Sequence, residues 1–342
     1  MAAPLDLRWK LADDDPQGAL FDEVTRHQGK GEFRGMEFIH VNAKTIINEV
    51  PAASRVPFRY TINAYRGCSH ACQYCFARPT HEYLGMNSGE DFDKKIVVKV
   101  NAVERLRADL RRPRWAGEHI AMGTNTDPYQ RCEGKYRLTR GIIEVLAAAR
   151  NPFSILTKST LILRDLDLLA EAAKHTDVRA NFSIGTLDEE VWRASEPGTP
   201  HPLRRVDAVA KLNQAGIRCG VLLAPVLPGI SDSPDQLDLV VKACVEAGAT
   251  SISPILLHLR PGVRDQYLEW LRATRPDLLK TYEQLYPKSY APRRAQDGLT
   301  TLVKDLVAKH GGRTVEPRQS RDVPVRRAPG RRTEPKQLGL GL

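Results

Sequence analysis

Cys68, Cys72 and Cys75 stand within eight residues in the run Tyr65-Arg66-Gly67-Cys68-Ser69-His70-Ala71-Cys72-Gln73-Tyr74-Cys75-Phe76, with no fourth thiol nearby to complete a tetrahedral site. A structural zinc ion takes four protein ligands, usually as two separated pairs, whereas three thiolates on a 4Fe-4S cluster leave one iron open to bind something else. The spacing therefore points to a cluster with a reactive corner. Competing with it are a zinc knuckle completed by His70, His81 or Cys132, and plain buried thiols. His70 either tunes a cluster sulfur through a hydrogen bond or faces solvent.

These thiols need a frame. Between about Tyr60 and Leu257, short β-branched runs alternate with amphipathic stretches, the pattern of a parallel sheet with crossover helices. The expected strands are Tyr60 to Tyr65, His119 to Gly123, Phe153 to Thr157, Arg179 to Ile184, Ile217 to Leu223 and Ser251 to Leu256. Helical spacing marks Ala102 to Leu110, Leu138 to Ala149, Leu166 to Ala173, Val206 to Gln214 and Asp235 to Ala247. Six sequential units predict an α/β fold, a partial (β/α)6 TIM-like barrel, with an open sheet as the alternative. Either architecture places ligands at the carboxyl ends of the strands, where the cysteines follow the first strand.

The expected organisation is a mostly irregular N-terminal extension over residues 1–53, a core over 54–275, a C-terminal helical segment over 276–311 and a disordered basic tail over 312–342. In the tail, eight basic residues from Arg313 to Lys336 are interspersed with prolines and three acids, so half of the net charge of +10 lies there. Such a composition does not repay its ordering entropy. Of the 342 residues, 42% are hydrophobic and 27% charged, as in a soluble globular protein. Asp13, Asp14 and Asp15 interrupt the place of a signal peptide, and no apolar run is long enough to span a bilayer, so no membrane association and a cytoplasmic location are expected. Six cysteines, three of them crowded together, fit metal ligation in a reducing compartment.

The C-x3-C-x2-C spacing with aromatic Tyr74 before its last cysteine resembles the radical S-adenosylmethionine (SAM) superfamily. The likeness narrows to the subgroup related to spore photoproduct lyase, the DNA repair photolyase-like proteins. It is carried by Gly123-Thr124-Asn125-Thr126-Asp127-Pro128-Tyr129-Gln130, Leu138-Thr139-Arg140, Leu156-Thr157-Lys158-Ser159, Asn181-Phe182-Ser183-Ile184 and Leu223-Ala224-Pro225-Val226-Leu227-Pro228-Gly229. The resemblance implies that Cys68, Cys72 and Cys75 ligate a 4Fe-4S cluster whose open iron chelates SAM. It implies that Tyr74 and Phe76 flank the cofactor, that Thr126 and Lys158 contact its polar groups, and that Ser183 and Ala224 line the pocket. The alternative reading of Lys158 is a solvated lysine at a strand end. Asp127 either holds a ribose hydroxyl or caps the turn that Pro128 continues.

The resemblance also implies a nucleic-acid lesion as substrate and an electron-donor protein as partner; a protein, transfer RNA or small metabolite is the alternative substrate, and a non-catalytic iron-sulfur or zinc redox sensor is a third reading. The lyase has a cysteine three residues before the aspartate of the second-strand motif, which returns a hydrogen atom to the product radical. Here that place is Thr124, and Cys132 in the same loop is the candidate substitute. Cys219 and Cys244 sit among aliphatic neighbours and read as core. Arg105, Arg107, Arg111, Arg112 and Arg114, with Arg204 and Arg205, are expected to add positive surface for phosphate. The last residues, Gln337, Leu338, Gly339, Leu340, Gly341 and Leu342, resemble the peptide by which bacterial repair proteins hold the DNA sliding clamp, or form a chance Leu/Gly end.

Overall fold

The computed structural model describes residues 24–313, apart from 52, 53 and 55. Strands β1 (Val24–Gln28), β2 (Glu37–Val41), β3 (Ile47–Glu49) and β4 (Tyr60–Ile62) precede the cysteines; β5 (Tyr65–Arg66) leads straight into them and β6 (Lys95–Lys99) follows. Then come β7 (Ile120–Met122), β8 (Phe153–Thr157), β9 (Val178–Ser183), β10 (Arg218–Val226) and β11 (Ile252–Leu256). The helices through this region are α1 (Glu90–Lys94), α2 (Ala102–Leu110), α3 (Glu133–Tyr136), α4 (Leu138–Ala148), α5 (Leu166–Ala173), α6 (Glu189–Ser195), α7 (Pro202–Gln214) and α8 (Pro234–Glu246). Helices α9 (Arg264–Thr274), α10 (Leu279–Leu285) and α11 (Arg293–Lys309) complete the described chain.

The principal sheet has the order β11-β10-β9-β8-β7-β4-β3. Its six strands from β4 to β11 are all parallel and follow one another in chain order, and only the edge strand β3 is antiparallel. This is the expected succession of six β/α units, left open among the described residues. Phe153, Ile155, Phe182, Val221 and Leu223 are buried along its middle. Crossover helices cover a parallel sheet, so strands of this kind read as near-continuous apolar runs. The helices start where chemistry allows: Ser233 accepts from the Gln236 N–H at 3.3 Å and Pro234 opens α8, where its missing N–H has no use. Beyond the sheet, α11 packs on α8 and β11.

Among the described residues of the N-terminal extension are three short strands, β1, β2 and β3. Its strands β1 and β2 join β6 and β5 in a second sheet of order β1-β2-β6-β5, with β2 and β6 parallel. This sheet encloses a small core of Ile39, Val41, Leu84, Met86 and Val97. In it β2 and β6 pair across more than fifty residues of chain, a relation that local periodicity does not report. β3 meanwhile pairs with β4, so the main sheet begins before the expected boundary at residue 54. Among the described residues no helix is long and apolar enough to cross a membrane. The tail and the clamp-like residues Gln337 to Leu342 lie outside the described residues.

Phe182 is fully buried at the centre of the sheet. We expect Phe182→Ala to lower stability by about 3–5 kcal/mol, read as a reduced denaturant midpoint at unchanged slope.

Candidate active site

The cysteine loop is buried yet is neither helix nor strand, so its backbone groups must find partners elsewhere. The Cys68 N–H donates to the Phe92 carbonyl at 2.9 Å. The Gly67 carbonyl accepts from Thr126 Oγ1 at 2.6 Å and Gln130 Nε2 at 3.0 Å, and Gln130 Oε1 accepts from the Ser69 N–H at 3.0 Å. Gly67 has φ of +81°, and a Cβ there would lie 2.9 Å from the Phe92 carbonyl oxygen. On the far side, the Gln73 N–H donates to the Ser195 carbonyl and the Gly198 N–H to the His70 carbonyl, both at 3.0 Å. Arg78, fully buried, donates to the Cys72 carbonyl at 3.0 Å and pairs with Asp93 at 2.9 Å.

Cys68 and Cys72 are buried and Cys75 is partly so. Burial pushes all three thiols above their ordinary range, and the neighbouring thiols push Cys68 and Cys72 further. Thiols so placed stay protonated unless a strong positive charge arrives, and iron supplies one. Among the described residues no three His, Cys, Asp or Glu side chains converge tightly enough to hold a single metal ion. A cubane asks for something different, because each thiolate takes a separate corner. Ser69 Oγ, beside Cys68, is buried without a hydrogen-bond partner, as a donor aimed at cluster sulfur would be. The residues present therefore fit a 4Fe-4S cluster.

The side chains offered for a zinc knuckle are engaged elsewhere. His70 Nδ1 lies 3.4 Å from Asp127 Oδ2, and His81 Nε2 is 2.9 Å from the Lys95 carbonyl. Cys132 is fully buried, with its thiol among Glu133, Tyr65 and Tyr136. That is a core position, and a thiol must reach the substrate to donate a hydrogen atom, so the donor role expected of Cys132 requires substrate to approach it there. Thr124 holds Asn63 through its hydroxyl, 3.2 Å from Asn63 Nδ2.

At the ends of β8, β9 and β10 the structure gathers a polar cluster. Lys158 Nζ donates to Ser183 Oγ, stands 3.7 Å from Glu196 Oε1 and lies 5.6 Å from the centre of the Tyr74 ring. Ser183 Oγ donates to the Ala224 carbonyl at 2.6 Å. The Tyr74 hydroxyl donates a hydrogen bond to Glu196, and Arg205 contacts the same carboxylate at 2.5 Å and the Ser183 carbonyl at 3.1 Å. Lys158 is thus no solvated lysine. Tyr74, Lys158, Ser183 and Ala224 are brought together, while Phe76 is 50% exposed beside them in sequence. Thr126 is spent on the Gly67 carbonyl. Asp127 accepts from the Tyr129 and Lys158 N–H groups at 2.9 and 2.8 Å and from Thr157 Oγ1 at 2.7 Å, so it caps the turn and ties the loop to β8. Burial would raise its pKa, but His70 and these donors hold it below the usual carboxylate value.

Glu196, Arg205, Arg78 and Gln130 were not singled out as site residues by sequence reasoning. Arg205 corrects an expectation, since it is 1% exposed and adds nothing to a positive surface. Arg112 is tied to buried Asp109 at 2.9 Å, while Arg107, Arg111, Arg114 and Arg204 are exposed. The available signal was Pro197-Gly198, a turn pair next to Glu196.

The family model of the radical SAM superfamily matches residues 62–239. An uncharacterized protein of Mycobacterium tuberculosis is 48% identical over 280 residues, which is 82% of each chain. One from Methanocaldococcus jannaschii is 30% identical over 258 residues, 75% of this chain and 86% of its own. Among solved structures, spore photoproduct lyase complexed with dinucleoside spore photoproduct superposes with a TM-score of 0.58 at 18% identity, over 80% of this chain and 79% of the lyase.

Two measurements probe the site. A Cβ on Gly198 would lie 2.2 Å from the Ser69 carbonyl oxygen, so Gly198→Ala should displace the loop and lower iron uptake on reconstitution by more than half, counted as iron per chain. Lys99, buried on β6, donates to the Asn63 carbonyl at 2.8 Å, and burial, then Arg66, lower its pKa to about 7. An unfolded lysine keeps its proton to about pH 10.4, so between pH 7 and 10 the unfolded chain binds more protons and this group makes stability rise with pH. Lys99→Met should remove that rise when denaturant midpoints at pH 7 and 9 are compared.

Proposed function

This chain belongs to the radical SAM superfamily, and on that premise we propose that it binds SAM at a 4Fe-4S cluster on Cys68, Cys72 and Cys75 and acts on a nucleic-acid lesion. The observation that supports the cofactor part most is the placement of those three thiols beside the Tyr74–Glu196–Lys158–Ser183 polar cluster at the carboxyl ends of the strands. When bound, the cluster supplies the electron that cleaves the SAM sulfonium and yields a 5′-deoxyadenosyl radical for hydrogen abstraction. The chain's own part is to hold and shield. Lys158 offers an ammonium to the carboxylate of the methionine moiety where little water competes. Ser183 and the Ala224 carbonyl fix that ammonium, and the Tyr74 ring, anchored by its hydroxyl, gives the adenine an apolar wall.

The lesion substrate is supported by the likeness to a lyase solved with a dinucleoside photoproduct, by the basic charge of the chain and by the clamp-like end. A different substrate, a protein, transfer RNA or small metabolite, is favoured by one observation: Thr124 stands where the lyase has its donor cysteine, and Cys132 is core. A hydroxyl hydrogen is far harder to remove than a thiol hydrogen, so the lyase's final step does not carry over unchanged.

Anaerobically reconstituted, reduced protein should release 5′-deoxyadenosine from SAM, and Cys72→Ala should release none; equal release from both rejects the cofactor reading. For the substrate, DNA affinity that falls steeply with salt supports the lesion reading, and no binding at low salt supports the alternative. A peptide of the last six residues that fails to bind purified sliding clamp removes the clamp partner.

A further inference from the structure

The carboxylate of Glu196 has a place in the site that the known features of the polar cluster do not explain. It lies just past α6, is 4% exposed, and faces two cations, Arg205 at 2.5 Å and Lys158 at 3.7 Å, as well as the Tyr74 hydroxyl. The segment that carries it grips the cysteine loop through the Gln73-to-Ser195 and Gly198-to-His70 hydrogen bonds. This grip is itself fixed: Trp192 Nε1 donates to Thr199 Oγ1 at 2.9 Å, and Trp270 Nε1 on α9 donates to the Ala194 carbonyl at 3.1 Å. The loop around Tyr74 and the polar groups around Lys158 therefore meet on one carboxylate.

We propose that Glu196 is a positioning residue of the cofactor site: its carboxylate sets the Tyr74 ring and the Lys158 ammonium, and so sets both the affinity for SAM and the potential of the cluster. One carboxylate held between Arg205 and Lys158 keeps both cations in place. Without Glu196 the Tyr74 hydroxyl loses its acceptor and its ring loses its anchor. Burial alone would raise the Glu196 pKa, but Arg205 and Lys158 bring it to about 2, so the charge persists across the working range. The Gln73-to-Ser195 hydrogen bond holds the residue before Glu196 against the residue after Cys72, which brings this charge close to the cluster ligands. A negative charge near a cluster ligand disfavours the reduced cluster and lowers its potential.

This inference rests on the cofactor reading above and not on any choice of substrate. Its test uses the full chain, reconstituted anaerobically, with iron per chain, SAM affinity by calorimetry on the oxidised cluster, and midpoint potential by spectroscopic titration. At unchanged iron content, Glu196→Ala should weaken SAM binding about tenfold and Tyr74→Phe several-fold, and the double variant should be no weaker than Glu196→Ala, because the hydroxyl has already lost its acceptor. Glu196→Gln, which keeps an acceptor but no charge, should move the midpoint to a more positive value. SAM affinity within twofold of wild type in Glu196→Ala, additive losses in the double variant, or an unmoved potential in Glu196→Gln overturns the proposal. Loss of iron from both Glu196 variants makes the residue a prop of the loop and overturns it too. A wild-type chain that takes up no cluster overturns the cofactor reading itself, a result distinct from all of these.

Discussion

An irregular loop buried inside a protein has to borrow every hydrogen bond that a helix or strand would supply to itself, and the cysteine loop meets this constraint from all sides. Thr126 and Gln130 come from the loop after β7, Phe92 from α1, Arg78 from the turn beyond the cysteines, and Ser195 with Gly198 from the segment after α6. Only the last few ångströms of approach decide whether these bonds form. Loop geometry is therefore a consequence of the finished sheet, and the thiols take their positions when the strands that carry their partners are in register.

The same assembly concentrates charge where water is scarce. Glu196, Arg205 and Lys158 are together in a region of low effective dielectric, where a pair is strong and an unpaired member costs about 3–5 kcal/mol. Such a cluster adds little net stability compared with an apolar core of the same shape. Its value lies in fixed geometry: Lys158 is held by Ser183, which donates in turn to the Ala224 carbonyl. Arg78, fully buried, pairs with partly exposed Asp93 and lies 5.2 Å from the centre of the Phe92 ring.

The chain belongs to the radical SAM superfamily and shares its fold with spore photoproduct lyase, and a second polar corner is built around Thr124. Thr124 is held by Asn63, whose carbonyl is in turn gripped by buried Lys99, so this corner is as rigidly built as the cofactor side. Phe76, half exposed after the last cysteine, presents an apolar ring rather than a polar one.

The sequence by itself determined the superfamily and the frame. Three thiols at C-x3-C-x2-C spacing are a local pattern, because ligands on one loop need only a few intervening residues to reach neighbouring corners of a cluster. The six parallel strands and most of their helices were legible too, since burial of one stripe or both faces leaves its period in the chain. Tertiary structure alone decided which carboxylate would face Lys158, that Arg205 would be buried rather than exposed, that Cys132 would lie in the core, and that β2 would pair with β6. Those relations join residues tens of positions apart. Sequence periodicity records how a residue meets its own element, whereas pairing across elements is selected by the packing and desolvation of the whole fold.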